Sequence, residues 1–86
     1  MRVMMPSALR SYTGAAEVEG EGESLAALLD DLDRRYPGIR FRIVDEQDRI
    51  RRHIRFFVNG EQSFDLGLAL GADDEIYIVQ ALSGGR

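Results

Sequence analysis

The chain has 86 residues, 44% of them hydrophobic and 30% charged, with a formal net charge of −4 at neutral pH. This length allows one core and is too short for the pocket-bearing architecture of most independent enzymes, while the absence of cysteine excludes disulfides, thiolate catalysis and cysteine-based zinc sites. A single histidine, His53, leaves little material for a Ser-His-Asp triad or a multi-histidine metal site. The negative net charge disfavours nucleic acid as a partner, and no apolar run approaches the roughly 20 residues that span a bilayer.

Two short strands are predicted at the start of the chain. Residues 2–5 form a mostly apolar run closed by Pro6, which is typical of a strand entering a turn. Residues 7–14 then form a connection, with Gly14 as its turn residue. In residues 15–19 acidic side chains alternate with apolar ones, so we expect an edge strand with its acids facing water.

One strong helical pattern follows in residues 25–36. Ser24 is a natural N-cap, because its hydroxyl can accept a hydrogen bond from an N–H of the first turn. Pro37 and Gly38 are expected to end the helix. Apolar side chains recur at steps of three and four and form one stripe: Leu25, Leu28, Leu29, Leu32 and Tyr36. We expect the charged side chains on the opposite, solvent side: Asp30, Asp31, Asp33, Arg34 and Arg35.

Residues 39–52 mix apolar and charged side chains and predict a helix tail or short irregular piece followed by a loop. A run of arginines begins in this loop: Arg49, Arg51, Arg52 and Arg55. Because acidic residues precede the run, we interpret it as a solvated, mixed-charge loop, and an RNA-binding patch is the alternative. His53 is expected in a solvated loop or at a strand edge.

Three more strands are predicted in the second half of the chain. The first is Ile54–Val58, ended by the hairpin dipeptide Asn59-Gly60, and it is followed by a short strand with a compact turn in residues 62–70 and a last strand in residues 75–79. Alternation places Ile54, Phe56, Val58, Ile76 and Ile78 under the helix. The other face carries Phe57, Tyr77 and Val79, which we expect to form an exposed apolar patch that binds a partner. The alternative is that these three side chains pack under loops.

The predicted order is therefore strand, strand, helix, strand, short strand, strand. A single amphipathic helix must bury its leucine stripe on one face of a mixed sheet, because nothing else in the sequence can cover that stripe. The fold class is α+β: a β-grasp (ubiquitin-like) sheet of four to five strands with one main helix, and with the first and last strands together at its centre. We expect this domain to occupy residues 1–80, and residues 81–86 to project as a flexible tail.

The end of the chain reads Leu82-Ser83-Gly84-Gly85-Arg86. A glycine pair is weak evidence alone, but here it follows a strand and a short spacer on a predicted β-grasp domain. Together with the segments PSALRSYTG, SLAALLDDLDRRYPGI, IRFFVNGE and GADDEIYIVQALSGG, it resembles the ubiquitin-like sulfur-carrier family that includes MoaD, ThiS and CysO. The opening and the RRYPGI segment are most similar to the CysO branch.

The resemblance implies a carrier that is not itself an enzyme and binds no cofactor. An activating enzyme would use ATP to adenylate the carboxylate of Gly85, and sulfur would then displace AMP to leave a thiocarboxylate. Gly84, Ser83 and Leu82 would thread into the partner, since residues 81–85 span on the order of 17 Å when extended and glycine lets the channel be narrow. A sulfur-accepting synthase would be the second partner.

Arg86 departs from the simplest pattern of the family, because a chain that ends there exposes the wrong carboxylate. We expect a protease, of the zinc-dependent class by analogy with the family, to remove Arg86; a cloning or annotation residue, or a protein that is never activated, are the alternatives. The expected product is cysteine, with the small subunit of molybdopterin synthase as a second reading and a ubiquitin-like protein modifier or non-catalytic binding module as a third. We expect a cytoplasmic protein that is monomeric when free and binds neither nucleic acid nor membrane.

Overall fold

The computed structural model describes residues 1–81, which form a five-stranded mixed sheet and one main helix. In chain order the elements are β1 (Arg2–Met4), a 3₁₀ turn (Ser7–Leu9), α1 (Arg10–Thr13), β2 (Glu17–Glu19), α2 (Leu25–Arg35), α3 (Ile39–Ile43), β3 (Ile54–Val58), β4 (Glu61–Ser63) and β5 (Glu75–Gln80). The predicted tail residues Leu82, Ser83, Gly84, Gly85 and Arg86 lie outside the described residues. Within residues 1–81, no helix is long and apolar enough to cross a membrane.

The sheet order is β2-β1-β5-β3-β4, with β1 parallel to β5 and every other neighbouring pair antiparallel. The connection from β2 through α2 to β3 lets the second half of the chain return beside the first, so the two central strands come from opposite ends of the described chain. The predicted β-grasp class, the central position of the first and last strands and the edge position of β2 are confirmed.

The start of α2 satisfies three of its first backbone N–H groups in two different ways. As predicted, the Ser24 side chain accepts a 3.1 Å hydrogen bond from the N–H of Ala27. The N–H groups of Leu25 and Ala26 donate to carbonyls of the 66–70 segment, at 3.2 and 2.9 Å. These bonds connect the start of the helix to the segment that precedes β5. The predicted leucine stripe at positions 25, 28, 29 and 32 is fully buried in the core.

Three details differ from the sequence-based expectations. Asp31 was expected on the solvent side of α2 but is 6% exposed, because the segment between β2 and α2 covers it. Residues 7–14 are two helical turns rather than a simple connection, closed as predicted by Gly14 with φ +71°. The 39–52 region begins with a separate helix, α3, which starts after Gly38 with φ +95° and buries Ile39 and Ile43.

The turn between β3 and β4 has the predicted hairpin geometry. Asn59 and Gly60 both have positive φ, 53° and 89°, as a two-residue turn of the mirror-image type requires. The side chain of Asn59 also accepts a 2.9 Å hydrogen bond from the N–H of Glu75 and donates to Asp74 at 2.9 Å. The turn is therefore fixed to the start of β5, and the register of β3 on β5 follows.

Candidate functional site

The sheet has one face against the helix and one open face, and the open face carries a row of apolar side chains. Phe57 of β3 lies directly opposite Tyr77 of β5, and Met4 of β1 lies opposite Tyr77 on the other side. Val79 follows along β5, paired with Arg55. Tyr77 is 42% exposed, Val79 39%, and Phe57 is half-buried. We call Met4, Phe57, Tyr77 and Val79 the open-face patch.

The opposite face is the predicted inner one. Ile54, Phe56, Ile76 and Ile78 are buried, and Val58 is half-buried at the end of β3. The alternation of the two strands therefore separates core from surface, and it leaves the open-face patch without cover from any element of residues 1–81.

A groove of about 480 Å³ runs beside the open-face patch. Met4 and Pro6 line one side of it, and Tyr77, Val79 and Gln80 line the other. Its shape and lining suit an apolar segment of another protein, because a polar segment placed there would lose hydrogen bonds to water without replacing them. The groove reaches Gln80, the last residue of β5.

The point at which the chain leaves the sheet is held by one backbone bond. The N–H of Ala81 donates to the carbonyl of His53 at 2.8 Å, directly after Gln80 pairs with Ile54. His53 is half-buried and lies in the turn directly before β3, next to one of the two predicted locations, a strand edge. Beside it, Arg42 Nε donates to the Tyr12 hydroxyl at 2.7 Å, and this hydrogen bond raises the pKa of Arg42.

The other end of the open face is ionic. Arg2 of β1 bridges Glu17 of β2 at 2.8 Å and Glu75 of β5 at 2.9 Å. The hydrogen bond from Arg2 is the main cause that lowers the pKa of Glu17. An ion-paired cluster therefore lies where β5 begins, whereas Tyr77 and Val79 of the open-face patch lie toward the end of β5, beside Arg55.

The structure brings together Phe57, Tyr77 and Val79, the three patch residues that the sequence singled out, and adds Met4. Sequence reasoning missed Met4, although the alternation of residues 2–5 around buried Val3 already placed it on the outer face. The predicted reactive and threading residues, Gly85, Gly84, Ser83, Leu82 and the removable Arg86, lie outside the described residues. Within residues 1–81 there is no group of three or more His, Cys, Asp or Glu side chains that could hold a metal ion.

Comparison with known proteins finds relatives that match nearly the whole chain. Residues 3–85 match the ThiS family, a match that includes both Gly84 and Gly85. The sulfur carrier protein CysO of Mycobacterium tuberculosis is 33% identical over 89 aligned positions, which cover 96% of each chain.

Solved structures of two relatives are similar in fold. A chain in the crystal structure of the Amycolatopsis orientalis BexX/CysO complex has a TM-score of 0.89 and 33% identity, covering 98% of both chains. The small archaeal modifier protein SAMP1 of Haloferax volcanii has a TM-score of 0.79 and 27% identity, covering 99% of this chain and 98% of that one.

Proposed function

Since the chain belongs to the ThiS family, we propose that it is a sulfur carrier whose reactive group is the terminal carboxylate of Gly85 after removal of Arg86. The observation that carries this proposal is the extent of the family match, which begins at residue 3 and runs through Gly85. The 33% identity with a protein named as a sulfur carrier supports the same role. Residues 1–86 contain no cysteine, so on this proposal a backbone carboxylate carries the sulfur.

The proposed chemistry takes place in the active sites of other proteins. Hydrolysis of the Gly85–Arg86 bond, for which a metalloprotease is the proposed agent, frees the carboxylate of Gly85. An oxygen of that carboxylate attacks the α-phosphorus of ATP, pyrophosphate leaves, and an acyl adenylate forms. Sulfide then attacks the acyl carbon, the C–O bond to AMP breaks, AMP leaves and a thiocarboxylate remains. If a persulfide attacks instead, the acyl disulfide that forms must be cleaved by a second thiol, which is oxidised to a disulfide as the thiocarboxylate is released. Adenylation is needed because a free carboxylate is a poor electrophile without a good leaving group.

The structure supports this role through the open-face patch. A partner that packs on Tyr77 and Val79 stands beside Ala81, where the described chain ends, and is therefore placed to receive the residues that follow. Exposed apolar side chains beside an open groove are typical of protein interfaces. A cytoplasmic location and a monomeric free state complete the proposal.

The test is the intact mass of two forms of the protein. A form that ends at Gly85 is incubated with the activating enzyme, ATP and sulfide, and we expect a gain of about 16 Da as sulfur replaces oxygen. The form that ends at Arg86 is the matched control and should gain nothing unless the protease is added. Absence of the gain in the Gly85 form, with ATP turnover by the enzyme demonstrated, contradicts the carrier role.

The sulfur acceptor is a separate question, and we propose an activated serine derivative that yields cysteine. The CysO name of the relatives supports that choice, and the dithiolene of molybdopterin is the second possibility. Each synthase can be offered the thiocarboxylated protein, and the one that restores the original mass while forming its product is the acceptor.

A protein-modifier role is a second candidate function because the SAMP1 relative is named as a modifier. In that case the activated Gly85 would form an amide bond with a lysine of another protein. Lysine adducts recovered from cells, without any thiocarboxylate, would favour this role over the carrier.

A further inference from the structure

A second groove, of about 510 Å³, lies between the loop of residues 48–52 and the end of β4. Four arginines line it: Arg49, Arg51, Arg52 and Arg55. Phe64 stands on its rim and is 78% exposed. We call this feature the arginine groove. The sequence pattern predicted that these four arginines lie in a solvated, mixed-charge loop. In the folded structure they line one concave surface.

The arginines of the groove differ from most of the others in how they are paired. Elsewhere, Arg2, Arg34, Arg35 and Arg40 each have a carboxylate oxygen within 3.1 Å. Among residues 1–81, no carboxylate lies within 4.0 Å of the guanidinium groups of Arg51, Arg52 or Arg55. Arg49 has one at 3.6 Å, from Asp45.

The hydrogen bonds that the unpaired arginines do make are with backbone carbonyls. Arg51 donates to Phe41 and stacks on its ring at 4.6 Å, and Arg55 donates to Arg52 and Ile54. A guanidinium has five N–H donors, so these contacts hold the side chains in place and leave most of their donors for a ligand.

Two carboxylates also line the groove, but each has a partner. Asp48 binds Arg40 at 2.9 Å, and Asp65 accepts a 2.8 Å hydrogen bond from the N–H of Gly67. The residues that line the groove therefore include four arginines and two aspartates, in a chain whose net charge is −4, although the guanidinium of Arg51 stacks on Phe41 outside the groove. A locally positive groove with an exposed aromatic rim is complementary to an acidic ligand that also has an apolar side chain.

The groove is also close to the point where the chain leaves the sheet. Arg55 pairs with Val79, which is two residues before Ala81. Neighbouring strands are about 5 Å apart, so a protein that covers the open-face patch can reach the groove as well. We propose that the arginine groove binds an acidic segment with a large apolar side chain, on the activating enzyme that receives the end of this chain. The identity of that protein rests on the proposed function, while the chemistry of the groove does not.

The test is an NMR titration of the ¹⁵N-labelled protein with the capped peptide Glu-Asp-Leu-Glu-Asp. We expect shifts centred on residues 49–55 and 62–66, and binding at least about tenfold weaker for the uncharged peptide Gln-Asn-Leu-Gln-Asn. The double variant Arg52→Gln/Arg55→Gln should lose about the same factor. Arg34→Gln is the matched control, because it removes an exposed arginine outside the groove and leaves the Arg35 to Asp31 pair in place; its affinity should not change.

Shifts spread over the whole surface, no shifts at millimolar peptide, or equal losses in the double variant and the control would each overturn the proposal. Tighter binding of a single-stranded RNA oligonucleotide than of the acidic peptide would assign the groove to nucleic acid instead. Concentration-dependent shifts of the protein alone would assign it to a second copy.

Thiocarboxylation is measured on the same variants to separate this proposal from the proposed function. With an excess of activating enzyme, the double variant should still gain the mass of the sulfur exchange. In initial-rate measurements at varied carrier concentration, the KM of the activating enzyme for the double variant should be higher than for the unaltered protein. If no form gains mass while the peptide binds as expected, the carrier role fails and the groove stands. If all forms gain mass with equal KM and the peptide does not bind, the groove fails and the carrier role stands.

Discussion

The carboxylate of Asp31 in α2 accepts a 2.9 Å hydrogen bond from the backbone N–H of Glu21, in the segment that follows β2. The same carboxylate forms ion pairs with Arg34 at 2.8 Å and Arg35 at 2.9 Å. A nearly buried acid thus joins the edge of the sheet to the main helix, and two arginines of the helix balance its charge.

Replacement of Asp31 by alanine should lower the free energy of unfolding by about 1–3 kcal/mol, because the partly buried hydrogen bond from the N–H of Glu21 loses its acceptor. Asp30→Ala is the control: its side chain is 62% exposed, so it should change stability by less than about 1 kcal/mol. Urea denaturation measures both values. Equal losses in the two variants would contradict the role given to Asp31.

The stability should also depend on pH in the acidic range. Burial raises the pKa of Asp31, but the hydrogen bond from Glu21 and the charges of Arg35 and Arg34 outweigh it and hold the pKa below the usual 3.8. A lowered folded-state pKa stabilises the protein above the unfolded-state value, and this contribution disappears as the pH falls through the folded-state pKa.

The deficit of Asp31→Asn relative to the unaltered protein should therefore be full at neutral pH and shrink below about pH 3.8. Denaturation curves from pH 7 down to about 2.5 test this expectation, provided that both proteins remain folded at the start of each curve. A deficit that is independent of pH would show that Asp31 acts through its shape alone.

Gly22 is predicted to be intolerant of any side chain. A Cβ at this position would lie 2.4 Å from the backbone nitrogen of Leu28, and backbone atoms of α2 cannot move aside alone. We expect Gly22→Ala to destabilise the protein by about 1–3 kcal/mol. At Gly71 the nearest atom would be 3.9 Å away, so Gly71→Ala should stay within about 0.5 kcal/mol of the unaltered protein. Thermal denaturation of the two variants measures both changes. Equal losses of stability in Gly22→Ala and Gly71→Ala would show that the contact with α2 does not limit the side chain at position 22.

Truncation of the open-face patch should weaken partner binding without affecting the fold. We expect Tyr77→Ala to raise the KM of the activating enzyme for the carrier by about tenfold, with kcat unchanged, because the ring is exposed in the free protein and covered in the complex. Tyr77→Phe is the matched control, since it keeps the apolar ring at the same position of β5 and removes only the hydroxyl. A similar rise in KM for the control would mean that the apolar ring does not dock on the enzyme.

The parts of the fold that the sequence predicts are those with a strong local period. The leucine stripe of α2, its Ser24 cap and the alternation in β3 and β5 each repeat a pattern that only one type of structure satisfies. The face that carries Phe57, Tyr77 and Val79 followed from the same alternation. These features needed no information from distant residues.

The parts that were missed depend on contacts between distant residues. One helical turn such as α1 contains too few residues for a periodic signal and is held by its neighbours. Asp31 looked like a solvent-facing acid until the segment after β2 was seen to cover it. The arginine groove forms only because β3 and β4 bring residue 64 beside the 48–52 loop, which no spacing along the chain reveals.

The hydrogen bond from the N–H of Ala81 to the carbonyl of His53 holds Ala81 at a fixed position relative to the sheet. Whatever enzyme binds the sheet, only three residues lie between Ala81 and Gly85. On the proposed cycle, the activating enzyme and the sulfur acceptor must therefore both hold their reacting atoms within the reach of four extended residues from Ala81, on the order of 14 Å. One short, anchored length would thus set a common dimension for active sites that have no other reason to resemble each other.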